Sequence, residues 1–178
     1  MSERILLLGD SLACLDSLAR SADVDVVGAH EVPDGTYSAA VIGIRLADDH
    51  EPATAREAFD ARIDECMDLA QKLTSLKHLI LVIGAPDAST HMPREIEDRL
   101  LSSCDSLSET LQAEVEQRIG TYVIVTMILA SSCKDPDLLA ERVLDRATQS
   151  RASDAATVVL WEEIESESIA DVGGNQFI

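Results

Sequence analysis

The chain has 178 residues, with 33 Asp and Glu against 14 Lys and Arg, and so a formal charge of −19. That length points to one domain, which buries about 70% of its unfolded surface and needs neither disulfides nor a metal to hold a core. A net charge of this size repels phosphate backbones and anionic lipid, which excludes nucleic-acid binding through a basic face; no stretch reaches the roughly 18 apolar residues of a membrane span.

In chain order, the first apolar run is Ile5–Leu8, entered from Met1-Ser-Glu-Arg rather than from a signal peptide, so a cytoplasmic protein is expected. Gly9-Asp10-Ser11 follow, and Leu12, Leu15 and Leu18 give a short first helix. Val24–Val27 and Ala39–Leu46 are the next runs, joined through Pro33–Ser38 where a second helix would have fitted. Ala55–Leu73 then places Phe59, Ile63, Cys66, Ala70 and Leu73 on one stripe, and Leu79–Ile83 is the fourth run. Arg94–Ile119 keeps Ile96, Leu100, Cys104, Leu107, Leu111, Val115 and Ile119 at steps of three or four, with its acids on the other face. Tyr122–Leu129 is the fifth run. Pro136 opens a last helix, Asp137–Thr148, with Leu139, Val143 and Ala147 inward, and Thr157–Trp161 reads as an extra edge strand. Residues 1–161 are expected to form a single α/β domain, and 162–178 an acidic, partly disordered C-terminal tail.

The runs are β-branched or Leu-rich and continuous rather than alternating, as strands covered on both faces require. Strands alternating with helices predict an α/β fold: a three-layer, doubly wound parallel sheet with right-handed crossovers. The expected strand order is the flavodoxin-like 2-1-3-4-5, with the extra strand at one edge and ligands at the carboxyl ends of the strands. With only 3% aromatic residues the core must be aliphatic. The four cysteines, Cys14, Cys66, Cys104 and Cys133, form no CxxC and fit free thiols better than a disulfide frame or a zinc site. Only three of the basic residues are Lys, a composition shared by salt-adapted and merely acidic proteins.

The carboxyl edge collects Gly9, Asp10 and Ser11 after strand 1, and Arg45, Asp48, Asp49 and His50 after strand 3. Strand 4 adds Gly84, Asp87, Ser89, Thr90 and His91, and strand 5 adds Ser131 to Asp135. Loops are polar in any α/β domain, so an ordinary solvated edge is the plain alternative. No cofactor motif is present: Gly173-Gly174 lies in the tail rather than between a strand and a helix. Asp48, Asp49 and His50 would suit a divalent cation beside Asp10, but adjacent residues point apart, and no metal is expected. Cys133 beside Lys134 suggests a thiol of lowered pKa, against the commoner outcome of a small buried thiol.

Ile5-Leu-Leu-Leu-Gly-Asp-Ser-Leu12 resembles the nucleophile block of the GDSL (SGNH) hydrolases, in which a strand ends in Gly-Asp-Ser-Leu and the serine opens the next helix. The order of the later elements is similar too. The resemblance implies an SGNH-like fold and a serine esterase or acyl hydrolase acting on a small ester or acyl substrate, with Ser11 as nucleophile and backbone N–H groups beside it holding the oxyanion. A helix cap at Asp10 or Ser11 is the structural alternative. The family's Gly-x-Asn-Asp block aligns with Arg45-Leu46-Ala47-Asp48, without its glycine and asparagine. The late Asp-x-x-His aligns with Asp135-Pro136-Asp137-Leu138, without its histidine. The base must then be His50 or His91, oriented by Asp48 or Asp87, in a rearranged chain order. Gly9, Asp10 and Arg45 would flank the substrate.

The same stretch also resembles a two-component receiver domain, through Arg4-Ile-Leu-Leu-Leu-Gly-Asp-Ser, Ile44-Arg45-Leu46 and Lys134-Asp135-Pro136. A receiver's phosphoacceptor aspartate falls on Gly43, and its acidic pair on Gly9-Asp10. Two readings therefore stand. One is a divergent SGNH-like hydrolase with impaired activity. The other is a non-catalytic α/β interaction module, either pseudoenzyme or pseudo-receiver, whose partner is a protein with a basic surface.

Overall fold

The computed structural model describes residues 4–28, 35–45, 61–62, 64–65, 67–69, 71–84, 94–149 and 155–175. Six parallel strands form one sheet: β1 (Arg4–Gly9), β2 (Val24–Val26), β3 (Tyr37–Arg45), β4 (His78–Gly84), β5 (Ile124–Leu129) and β6 (Thr157–Leu160). Their order is β2-β1-β3-β4-β5-β6, so the expected order holds and the extra strand extends it at the β5 edge. The register runs Gly9 beside Gly43, Ile44 beside Ile83, and Leu129 beside both Ile83 and Leu160, which brings the carboxyl ends of β1, β3, β4, β5 and β6 to one edge.

Residues of opposite parity in the strands enter two cores. Leu6, Ala40, Ile42, Leu79, Leu81, Val125 and Met127 face a layer built from helical residues between 61 and 72 and from the helix Arg94–Ile119. Ile5, Leu7, Ala39, Val41, Ile80, Val82 and Ile128 face the other layer. That layer contains the 3₁₀ turn Ala13–Leu15, the helix Asp16–Ala19 and the helix Pro136–Thr148. The result is a flavodoxin-like three-layer arrangement. Every residue of β4 and β5 is buried, which is why those runs carry no polar alternation. The two edge strands are three and four residues long, a length that limits pairing with other chains.

Strand ends shift from expectation by one or two residues, and three differences bear on the fold. The fifth strand begins at Ile124, and Tyr122 is 42% exposed ahead of it. Trp161 opens a helix rather than closing β6. The expected acidic tail is folded through residue 175, as the helices Trp161–Ile164 and Ile169–Asn175. Trp161, Ile164, Ile169 and Val172 enter the second core, and the acids between them, such as Glu162, Glu163 and Glu165, stay exposed. A high acid count concealed a four-residue apolar anchor.

Among the described helical residues between 61 and 72, Met67 and Leu69 are buried, as is Leu73 just after them; Phe59, Ile63, Cys66 and Ala70 of the expected stripe lie outside the described side chains. Helix Arg94–Ile119 is about 39 Å long at 1.5 Å per residue. Leu100, Cys104, Leu111 and Val115 are its buried face, with Ile96 and Leu107 partly buried against the same core. No described helix is long and apolar enough to cross a membrane.

Candidate functional site

Gly9, Asp10, Ser11 and Arg45 lie together where β1 and β3 end. Asp48, Asp49, His50, Asp87, Ser89, Thr90 and His91 lie outside the described residues.

Two glycines let that turn form. Gly9 has φ +91°, a left-handed conformation that L side chains rarely adopt, and a Cβ on it would fall 2.4 Å from the Gly43 carbonyl oxygen. On the neighbouring strand, a Cβ on Gly43 would fall 2.3 Å from the Asp10 carbonyl oxygen. The chain leaving β1 therefore crosses β3 at backbone contact distance, fastened by a 2.8 Å hydrogen bond from Asp10 N–H to Gly43 O. Position 43 has no space for a side chain.

Asp10 uses both carboxylate oxygens. Oδ2 accepts the Arg45 backbone N–H at 2.8 Å, and Oδ1 accepts the Arg62 guanidinium, which also bonds Glu65 one helical turn further on. Burial opposes the charge on Arg62, but the Glu65 hydrogen bond and the nearby Asp10 and Glu65 charges outweigh it and raise its pKa. Arg45 and Lys134 were the basic residues expected on this edge, and Arg62 is a third. In the sequence it is one arginine within an acidic helical pattern, and nothing there marks it.

Ser11 is exposed, belongs to no regular element, and makes no hydrogen bond with a described residue. The expectation that Ser11 opens a helix, or that Asp10 or Ser11 caps one, is corrected. The first turn is the 3₁₀ segment Ala13–Leu15, with Leu12 at its cap and no side-chain capping bond. Leu12 is buried and would touch a Cβ placed on Gly84 at the end of β4. Leu12 thus dives into the core and leaves Ser11 outside.

After β5, Asp135 has a structural task. Asp135 is the N-cap of helix Pro136–Thr148, its Oδ1 accepting Leu138 N–H at 3.0 Å, with Pro136 at the first helical position. Cys133 does not have the lowered pKa its neighbour Lys134 suggested. Burial pushes it up to about 11, against the Asp135 N–H that lowers it and with Asp135 and Glu165 adding to the rise. Ser131 Oγ donates to Glu97 Oε1 at 3.3 Å, and Ser132 Oγ to Glu162. Both glutamates were absent from the expected edge. They arrive because Glu97 lies in the first turn of helix Arg94–Ile119 and because Glu162 follows β6, whose last residue Leu160 pairs with Leu129.

At the opposite, amino-terminal edge lies a buried polar group. His78 Nε2 is 2.6 Å from the Gln149 carbonyl, and Arg146 donates to Thr126 Oγ1 at 3.2 Å. This group packs on the same face of the sheet as Leu12, at the other end of the strands from Ser11. Among the described residues, no group of three or more His, Cys, Asp or Glu is placed to hold a metal ion.

Fold and edge together define a flavodoxin-like α/β protein with a Gly-Asp-Ser turn at the carboxyl end of its first strand. Comparison of the chain with family models, with curated proteins and with solved structures finds no match.

Proposed function

We propose that the protein is a divergent SGNH-like serine hydrolase acting on a small ester or acyl substrate. The supporting observation is the division of labour in the turn. Asp10 is tied by both oxygens, Leu12 is buried, and Ser11 between them presents a hydroxyl with no bond to a described residue. In this reading Ser11 Oγ attacks the acyl carbon while its proton passes to His50 or His91. The alcohol leaves with that proton, and water then releases the acid and restores the serine. Asp48 or Asp87 orients the imidazole, and backbone N–H groups beside Ser11 hold the oxyanion.

The test is turnover of p-nitrophenyl acetate by wild type, Ser11→Ala, His50→Ala and His91→Ala. Turnover abolished by Ser11→Ala and lowered at least ~100-fold by one of the histidine changes supports the reading. Turnover that survives Ser11→Ala sinks it.

A second reading is a non-catalytic module that docks a protein with a basic surface. Two observations favour it: no helix begins at Ser11, and Asp135 is spent as a helix cap where the family has its Asp-x-x-His. Absence of any Ser11-dependent turnover selects this reading.

A further inference from the structure

We propose that Arg62 is a positioning residue for the Ser11 turn, acting through Asp10. Between the end of β1 at Gly9 and the 3₁₀ turn at Ala13, residues 10–12 belong to no element that holds them. Five contacts do so instead: Asp10 N–H to Gly43 O, Leu15 N–H to Leu12 O, Arg45 N–H to Asp10 Oδ2, Arg62 to Asp10 Oδ1, and the burial of Leu12. Arg62 alone among these partners comes from an α-helix. That helix packs on one face of the sheet, while Leu12 and Cys14 enter the core on the other face. Asp10 thus ties the two layers together at the point where Ser11 emerges.

The geometry suits a clamp. The Arg62 side chain is 19% exposed and that of Asp10 31%, so the pair is partly shielded from salt. Glu65 holds the other end of the guanidinium and so fixes the fork that Asp10 meets. With both oxygens engaged, the Asp10 carboxylate is turned toward Arg45 and Arg62 and does not compete for the Ser11 hydroxyl. The catalytic part of this role rests on the reading of Ser11 as nucleophile; the clamp itself does not.

Amide hydrogen exchange in the full-length protein separates the two. Arg62→Ala is expected to speed exchange at the Asp10 and Arg45 amides about tenfold, because both amides bond within the clamp. Arg62→Lys keeps the charge and is expected to restore most of the protection. Arg4→Ala, which removes the ion pair with Asp25 at the far end of β1, is expected to leave both amides unchanged. Should Arg62→Ala fail to fold, Asp10→Asn keeps an acceptor for Arg45 N–H, loses the ion pair, and is expected to speed exchange in the same way. Unchanged exchange in these clamp variants, or equal loosening by Arg4→Ala, overturns the clamp. Where wild type shows Ser11-dependent ester turnover, Arg62→Ala is expected to lower kcat with little change in KM, and Arg62→Lys to recover it. An unchanged kcat in Arg62→Ala overturns the positioning role. Faster exchange with no Ser11-dependent turnover in wild type leaves the clamp standing and removes the hydrolase reading.

Discussion

Gly43 is the residue whose substitution the structure resists most directly. A methyl group there meets the Asp10 carbonyl oxygen at 2.3 Å, backbone against backbone, where no flexible side chain can give way. Gly43→Ala is therefore expected to lower unfolding free energy by about 1–3 kcal/mol in urea titrations, and an unchanged midpoint would contradict the close approach. The thiols give a second prediction at this scale. Burial pushes Cys14 and Cys104 up to about 12, with the neighbouring Cys133 and Asp105 respectively adding to the rise. A thiol whose folded pKa lies above its unfolded one contributes nothing unfavourable below the unfolded value near 9, and favours the unfolded chain above it. The thiol contribution to stability is thus expected to be constant up to about pH 9 and to fall from there toward pH 12. Urea midpoints across that range check it, as does the native protein's slow reaction with a disulfide reagent at pH 8. Ser11 and its flanking glycine were legible in the sequence because strand, glycine and serine are contiguous. Arg62 was not, because its role depends on a contact across 52 residues that no local pattern records.

Among the elements, helix Pro136–Thr148 has the clearest sequence signature, with Asp135 before a proline and an apolar stripe at helical spacing. Asp135→Ala is expected to cost about 1 kcal/mol through loss of the cap to Leu138 N–H, measured as a lowered urea midpoint with an unchanged slope. The C-terminal helices show where patterning misleads. Trp161 is 1% exposed, and its Nε1 donates to Glu165 Oε1 at 2.9 Å, yet the acids around it read as a tail. Trp161→Ala is expected to destabilise the fold by about 3–5 kcal/mol. Because this is the one tryptophan, wild-type emission should shift to longer wavelength on unfolding, and a native spectrum of an exposed indole would contradict its burial. The inner strands were readable to within two residues because burial on both faces demands continuous apolar runs. Arg146 was not: at 2% exposed on the inward face of its helix, it sits where spacing alone would place a small apolar residue.

For the whole molecule, the charge of −19 describes the surface rather than the chemistry. The acids of helices Arg94–Ile119 and Trp161–Ile164 face outward, and the few basic residues cannot neutralise them. Mutual repulsion then opposes the compact state, and salt weakens it. Raising NaCl from about 0.1 to 1 M, where screening becomes nearly complete, is expected to raise the urea midpoint, and a fall would contradict the repulsion. The sheet order and layering followed from the alternation of elements, whereas the arrangement at the carboxyl edge came from long-range contacts that alternation does not specify. The proposed hydrolysis requires Ser11 as its nucleophile. Intact-mass spectrometry of the wild-type protein after treatment with a fluorophosphonate tests it most directly. The predicted result is one phosphonyl adduct per chain, located on Ser11 and absent from Ser11→Ala. No adduct, or an adduct on another residue, would contradict it.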